Sequence, residues 1–293
     1  MPSTRDIRRR IKSVKNTAQI TKAMQMVASS KMRKAQLAAI AGRPYAGLMN
    51  NMLAHVAGHS GDFNHPLMEK RGGGKRAVIL VSTDKGLCGA LNSNLTREAA
   101  RFDKNTTVFV CAGRKGAQFV ARTKRQLVAE FTYKDSPLFA EARSISKFVQ
   151  EMFLKGEVDH VDVLYTNFIS TLNQKPDVLP LLPIGEIRGV QAGVDGQESS
   201  VALEKSSELE FLFEPGPEGV LGSLLPHYLN FQVYQILLEA KASEHSSRMV
   251  AMKNATDNAK QLIKDLTLEY NKLRQANITK ELLEITTAQM ALG

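Results

Sequence analysis

Residues 11–34 read Ile11-Lys12-Ser13-Val14-Lys15-Asn16-Thr17-Ala18-Gln19-Ile20-Thr21-Lys22-Ala23-Met24-Gln25-Met26-Val27-Ala28-Ser29-Ser30-Lys31-Met32-Arg33-Lys34. No Gly or Pro interrupts them, and Ala, Lys, Met and Gln are all strong helix formers. Apolar residues fall at Ile7, Ile11, Val14 and Ala18 and then shift to Ile20, Met24 and Val27. Spacings of three and four draw a narrow seam rather than the wide stripe of a surface helix. A narrow seam on a long helix asks for one partner helix, as in a coiled coil. The shift after Ala18 reads as a break in the heptad, so a long regular supercoil is not expected.

Working outward, Ser3 or Thr4 suits an N-cap, with Asp6 in the favourable first turn. Gly42-Arg43-Pro44 reads as a kink or break. Helical spacing resumes at Leu48, Met52 and Val56, which makes residues 1–58 an N-terminal coiled-coil helix of roughly 75–80 Å. Its charge is lopsided. Residues 1–61 hold eleven basic side chains and one acid, Asp6, so this segment carries the whole net charge of +10.

At 293 residues and 43% hydrophobic composition the chain can bury a substantial core, and two structural units are the natural expectation. The two cysteines, Cys88 and Cys111, are too few for a disulfide scaffold and lack metal-site spacing, which points to a reducing compartment. No apolar run approaches the about 18 residues needed to span a bilayer, so any membrane association is expected to be peripheral. The Arg-rich, acid-poor start has the composition of a transit peptide, but the helical seam continues through it without a cleavage-like break, which favours a structural helix.

After a loop from Gly58 to Lys75 the pattern changes. Short apolar runs at Ala77–Ser82, Thr106–Cys111, Gln126–Tyr133 and Val158–Ile169 alternate with helical stretches at Ala90–Phe102, Lys115–Thr123 and Pro137–Gly156. Val178–Ile184 is Pro-rich and edge-like. Strands alternating with helices indicate a βαβ domain, residues 75–208, with a largely parallel sheet. Residues 185–208 are rich in Gly, Ser, Gln and Glu and read as a surface linker. From Glu218 helical spacing runs through Leu221, Leu225, Tyr228, Ile236, Ala259, Ile263, Leu266, Tyr270, Leu273, Ile278, Leu282 and Ile285, so residues 209–293 form a second coiled-coil helix. It is longer than the first by roughly 20 residues, about 30 Å. The expected fold is therefore α/β: a long antiparallel two-helix coiled coil from both termini, with one end of the longer C-terminal helix left unpaired, plus a central Rossmann-like βαβ domain.

Reaction chemistry is hard to place on this sequence. Gly72-Gly73-Gly74-Lys75-Arg76 lacks the spacing and the Ser/Thr of a phosphate-binding P-loop. Gly86-Leu87-Cys88-Gly89 lacks the third glycine of a dinucleotide loop and suits a tight strand-to-helix turn. Cys88 has no His near it in sequence and reads as a small buried residue rather than an activated thiol. His55 and His59 stand at i, i+4 without an acidic third ligand. No catalytic residue, metal ligand or cofactor is nominated. The basic segment is compatible with nucleic acid through counterion release, yet residues 1–44 hold no aromatic on which a base could stack. An acidic protein surface around the helix is the other partner that such charge fits.

The residues Asn16-Thr17, Ile20-Thr21-Lys22-Ala23-Met24, Met26-Val27-Ala28 and Lys31-Met32-Arg33-Lys34 closely resemble the N-terminal signature of the γ subunits of F-type ATP synthases. Ser82-Thr83-Asp84-Lys85-Gly86-Leu87-Cys88-Gly89 resembles that family's central motif. Glu244–Ala259 and Tyr270–Leu282 resemble its C-terminal signature, so the likeness covers essentially the whole chain. It implies a non-catalytic rotor shaft that couples proton transport to ATP synthesis or hydrolysis in an α/β head. It implies α, β and ε subunits and a c-ring as partners, without nucleic acid. It places the chain as a peripheral membrane protein at the cytoplasmic face of a bacterial inner membrane. Carried over by position, Met24 and Arg248 meet the lower, acidic lever region of the β subunits, and Lys31 and Lys34 face its carboxylates. Arg274, Gln275, Thr279 and Glu281 form an upper contact with the head. Exposed charge contacts of this kind are each worth about 0–1 kcal/mol.

Overall fold

The computed structural model describes residues 3–59, 65–184 and 216–292. The order of elements is α1 (Thr4–His59), β1 (Arg76–Val81), α2 (Leu91–Arg101), β2 (Thr107–Ala112), α3 (Arg114–Arg122), β3 (Gln126–Phe131), α4 (Phe139–Leu154), β4 (His160–Phe168), β5 (Gln174–Leu182) and α5 (Pro217–Leu292). The chain divides into two compact units, one of residues 1–28 with 249–293 and the other of residues 29–248.

The first unit is a helix pair. Ser3 opens α1 with a reciprocal cap: its hydroxyl accepts from the Asp6 N–H and donates to the Asp6 carboxylate, which accepts from the Ser3 N–H. Those bonds hold the Asp6 carboxyl below its ordinary pKa. The Thr21 and Thr256 hydroxyl oxygens lie 2.8 Å apart in a buried hydrogen bond. From that point burial runs toward Ile7 on α1 and toward Leu273 on α5, so the two segments are antiparallel. Beyond Leu273, every residue from Arg274 to Met290 is exposed. The overhang is therefore at the C-terminal end.

One expectation about this pair is corrected. The buried positions are Ile7, Thr21 and Ala28, with Val14 half-buried, while Ile20 and Val27 are 60% and 55% exposed. The seven-residue spacing thus continues unbroken, because a threonine with its hydroxyl satisfied and a small alanine fill positions where larger apolar residues were sought. Ala35 and Ala39 on the same helix are also buried. A second correction concerns Gly42-Arg43-Pro44, which lies inside α1 without ending it. Pro44 is exposed, so the carbonyl left without a donor one turn earlier can be met by water.

The second unit is a three-layer sandwich around a five-stranded sheet of order β3-β2-β1-β4-β5. β1 to β4 are parallel, and β5 closes one edge antiparallel to β4. Successive side chains of a strand point to opposite faces, and both faces are covered here. Ala77, Ile79 and Val81 of β1 join a core with α4, Met49 and Leu53 of α1, and Leu221 to Ala240 of α5. Val78 and Leu80 join a second core with Leu95 and Ala99 of α2 and Ala117 and Val120 of α3. Burial on both faces explains why β1 reads as an unbroken apolar run. The expected linker, residues 185–208, lies outside the described residues.

Candidate functional site

At the carboxyl edge of the sheet β1 runs into Ser82-Thr83-Asp84-Lys85-Gly86-Leu87-Cys88-Gly89. Ser82 is buried: its hydroxyl donates to the Gly113 carbonyl at 3.1 Å and accepts from the Gly116 N–H at 2.7 Å. Gly113 has φ +108°, and a β-carbon there would sit 2.2 Å from the Ser82 carbonyl oxygen. Only glycine lets β2 pass that close. The Thr83 hydroxyl donates to the Lys85 carbonyl, and Asn92 from α2 donates both to Thr83 Oγ1 and to Cys88 Sγ, which closes the turn. Burial pushes the Cys88 thiol above its ordinary pKa. The thiol packs inside the turn, where its sulfur accepts from the Asn92 amide.

In open α/β sheets a ligand occupies the crevice at the strands' carboxyl ends where chain order diverges, here between β1 and β4. In this chain α5 occupies that place. The Ser243 hydroxyl donates to the Thr166 carbonyl of β4 at 2.9 Å, and Ser246 donates to the Thr171 carbonyl at 2.8 Å. On the β1 side Ser247 donates to the Cys88 carbonyl at 2.7 Å, and the Arg248 guanidinium reaches the Lys85 and Gly86 carbonyls at 3.3 Å. Five backbone carbonyls at this edge, of Thr166, Thr171, Cys88, Lys85 and Gly86, are thus bonded to Ser243, Ser246, Ser247 and Arg248.

A chain of alternating charge borders this seat. Arg248 Nη2 pairs with Glu244 at 2.8 Å, and the other Glu244 oxygen holds Lys241 at 3.0 Å. Lys241 is 2% exposed, lies 4.5 Å above the Tyr133 ring and is 3.8 Å from Asp135. Asp135 in turn pairs with Lys31 of α1 at 2.5 Å. The bond from Lys31, with the positive charges of Lys31 and Lys241, holds the Asp135 carboxyl below its ordinary pKa. The Tyr133 hydroxyl, raised well above the usual tyrosine range by burial, donates to the Ser82 carbonyl. Buried His245 has Nδ1 3.5 Å from Arg248 Nη1, and burial lowers its pKa.

The expected contact residues lie in different settings. Arg248 is 12% exposed and its charge is used within the chain. Lys31 is half-exposed and finds its carboxylate in Asp135. Met24 is half-buried on the seam and Lys34 is exposed. Arg274, Gln275, Thr279 and Glu281 all lie on the bare end of α5, where the Thr279 hydroxyl bonds back to the Gln275 carbonyl. The structure thus joins Lys31 and Arg248 through Asp135, Lys241 and Glu244, none of which was singled out from sequence. A signal was present: Glu239, Lys241 and Glu244 are the only Asp, Glu, Lys or Arg side chains between Glu218 and Arg248. The side chains of His55 and His59 lie outside those described.

A family model described as ATP synthase matches residues 3–292. A protein of Opitutus terrae called ATP synthase gamma chain is 52% identical, with 99% of each chain covered. One of the same name from Methylacidiphilum infernorum is 47% identical over the full length of both. Among solved structures, a chain in the Euglena gracilis mitochondrial ATP synthase matches 99% of this chain and 94% of its own at TM-score 0.68 and 19% identity, a likeness of fold. A chain in the central stalk and c-ring of the Tetrahymena thermophila mitochondrial enzyme matches at TM-score 0.60 and 26% identity, over 80% of this chain and 99% of that one.

Proposed function

The chain belongs to the ATP synthase gamma-chain family, and from that premise we propose that α5 works as a shaft seated by its own sheet at one stretch and bare at another. The observation that carries this is the burial along α5: Tyr228 to Ser246 is almost wholly buried, and Arg274 to Met290 is wholly exposed. The bare stretch is the part available to a surrounding head of α and β subunits, with Arg274, Gln275, Thr279 and Glu281 as its contacts. Met24 and Lys34, both on α1, are each a further contact against acidic partner surface. Arg248 serves by seating the helix, and Lys31 by pairing with Asp135.

A shaft of this kind does no bond chemistry. Because its surface differs from side to side, each catalytic subunit around it meets a different set of groups. Turning it redistributes those subunits among open and closed states by differential contact free energy. No described helix is long and apolar enough to cross a membrane, so attachment runs through the partners, the ε subunit and the c-ring, on the cytoplasmic side of the membrane. Family membership sets aside the nucleic-acid reading of the +10 segment.

The test is assembly. Mixed with separately purified α and β subunits, the chain should give a stoichiometric complex that hydrolyses ATP, whereas the chain alone should not. Failure to co-assemble would sink the proposal.

A further inference from the structure

We propose that Lys241 is a positioning residue that fixes the angle of α5 on the α/β domain, so that twist in the helix is delivered to the sheet instead of being lost in slippage. The inference deepens the shaft reading and rests on it.

Three observations carry it, all within residues 29–248. First, the ammonium is buried and its surroundings come from separate elements: Glu244 on α5 itself, Asp135 in the β3–α4 connection and the face of Tyr133 just after β3. A helix turning on its seat would carry the charge away from two of the three. A desolvated charge that loses its partners is costly, so this seat resists rotation more than apolar packing alone does. Second, Asp135 and Glu244 each have a further cationic partner. Asp135 takes Lys31 of α1, and Glu244 takes Arg248, whose guanidinium also binds the β1–α2 turn. One buried cation therefore links both long helices to two loops at the same sheet edge. Third, the serine bonds at the seat are single hydroxyl-to-carbonyl contacts along one side of the helix. They fix its height, and the charge network adds the constraint on its rotation.

Lys241 touches neither a nucleotide nor the proposed head contacts, so its loss is expected to separate two activities that the intact complex couples. In ATP synthase reassembled in vesicles with K241M, ATP hydrolysis should persist while protons pumped per ATP fall. K241R, which keeps the charge, should recover part of the ratio. If K241M does not fold, D135N serves instead: the residue is half-exposed, and its loss cuts the link to α1 while leaving Lys241 on Glu244. It should lower the same ratio less. A pumping-to-hydrolysis ratio equal to wild type in the folded variant overturns the inference. So does an equal loss of both activities without recovery in K241R, which would mark Lys241 as structural only. If the wild-type chain itself does not assemble, the shaft reading fails rather than this one.

Discussion

From Tyr228 to Ser246 helix α5 is packed on nearly every side, and from Arg274 to Met290 it is packed on none. The two stretches share one helix and differ in what satisfies them. In the first, aliphatic residues fill the sheet's core, while Lys241 and Glu244 are buried with partners supplied by the same chain. In the second, Ile278, Leu282 and Ile285 form an exposed i, i+4, i+7 row. A helix with such a row needs a partner to cover it. The contrast is between residues that hold this protein together and residues left exposed for a partner to cover.

The sharpest way to break that comparison is one substitution in each stretch. Leu237→Ala empties a fully buried site and should cost about 4 kcal/mol, seen as a lower midpoint in denaturant unfolding of the isolated chain. Leu282→Ala, at a site 58% exposed, should change that midpoint by less than about 0.5 kcal/mol yet reduce the yield of complex with the head subunits. Equal losses in the isolated chain would erase the distinction.

A smaller effect tests the helix pair. Thr21→Val alone removes one side of the hydroxyl contact with Thr256 and should cost about 1 kcal/mol. Changing both to Val should cost less than the sum of the two single changes, because the shared contact is lost only once while each hydroxyl's other bond is to a carbonyl of its own helix, Ala18 or Met252. A double-mutant cycle measures the coupling.

The smallest effect is with pH. His245 titrates lower in the folded chain than in the unfolded one because it is buried, and Arg248 and Lys241 add to the lowering against Glu244 and Asp135. The unfolded chain therefore holds more protons in that window, and stability falls as pH drops below about 6.5. Asp135, lowered when folded, adds a further loss below about pH 3.9. Melting curves between pH 7 and pH 5 should show a smaller decline in H245Q than in wild type.

Much of this fold is legible in the sequence because burial on both faces leaves strands as plain apolar runs. Arg76–Val81 and Thr107–Ala112 fall within a residue of their expected places. The heptad was harder to follow where Thr21 and Ala28 stand on the seam, since neither is a large apolar residue and their fit depends on what lies opposite. Pro44 reads as a stop because its local cost is visible and the packing of Met49 and Leu53 beyond it is not. The seat was least legible. Lys241, Glu244 and Arg248 are neighbours on one helix, but Tyr133, Asp135 and the Lys85 and Gly86 carbonyls that complete the seat stand 100 residues or more away in sequence, at the edge of a sheet that exists only once folded.

The filled crevice also has a kinetic meaning. Ser243 to Arg248 reach the β1 and β4 edges as part of the same molecule, so their effective concentration there is of the order of millimolar or higher. A free solute would compete with an occupant that never diffuses away. Nucleotide added to this protein should therefore show no saturable binding at that edge, and any compound that did enter would register as melting of the helix from its domain.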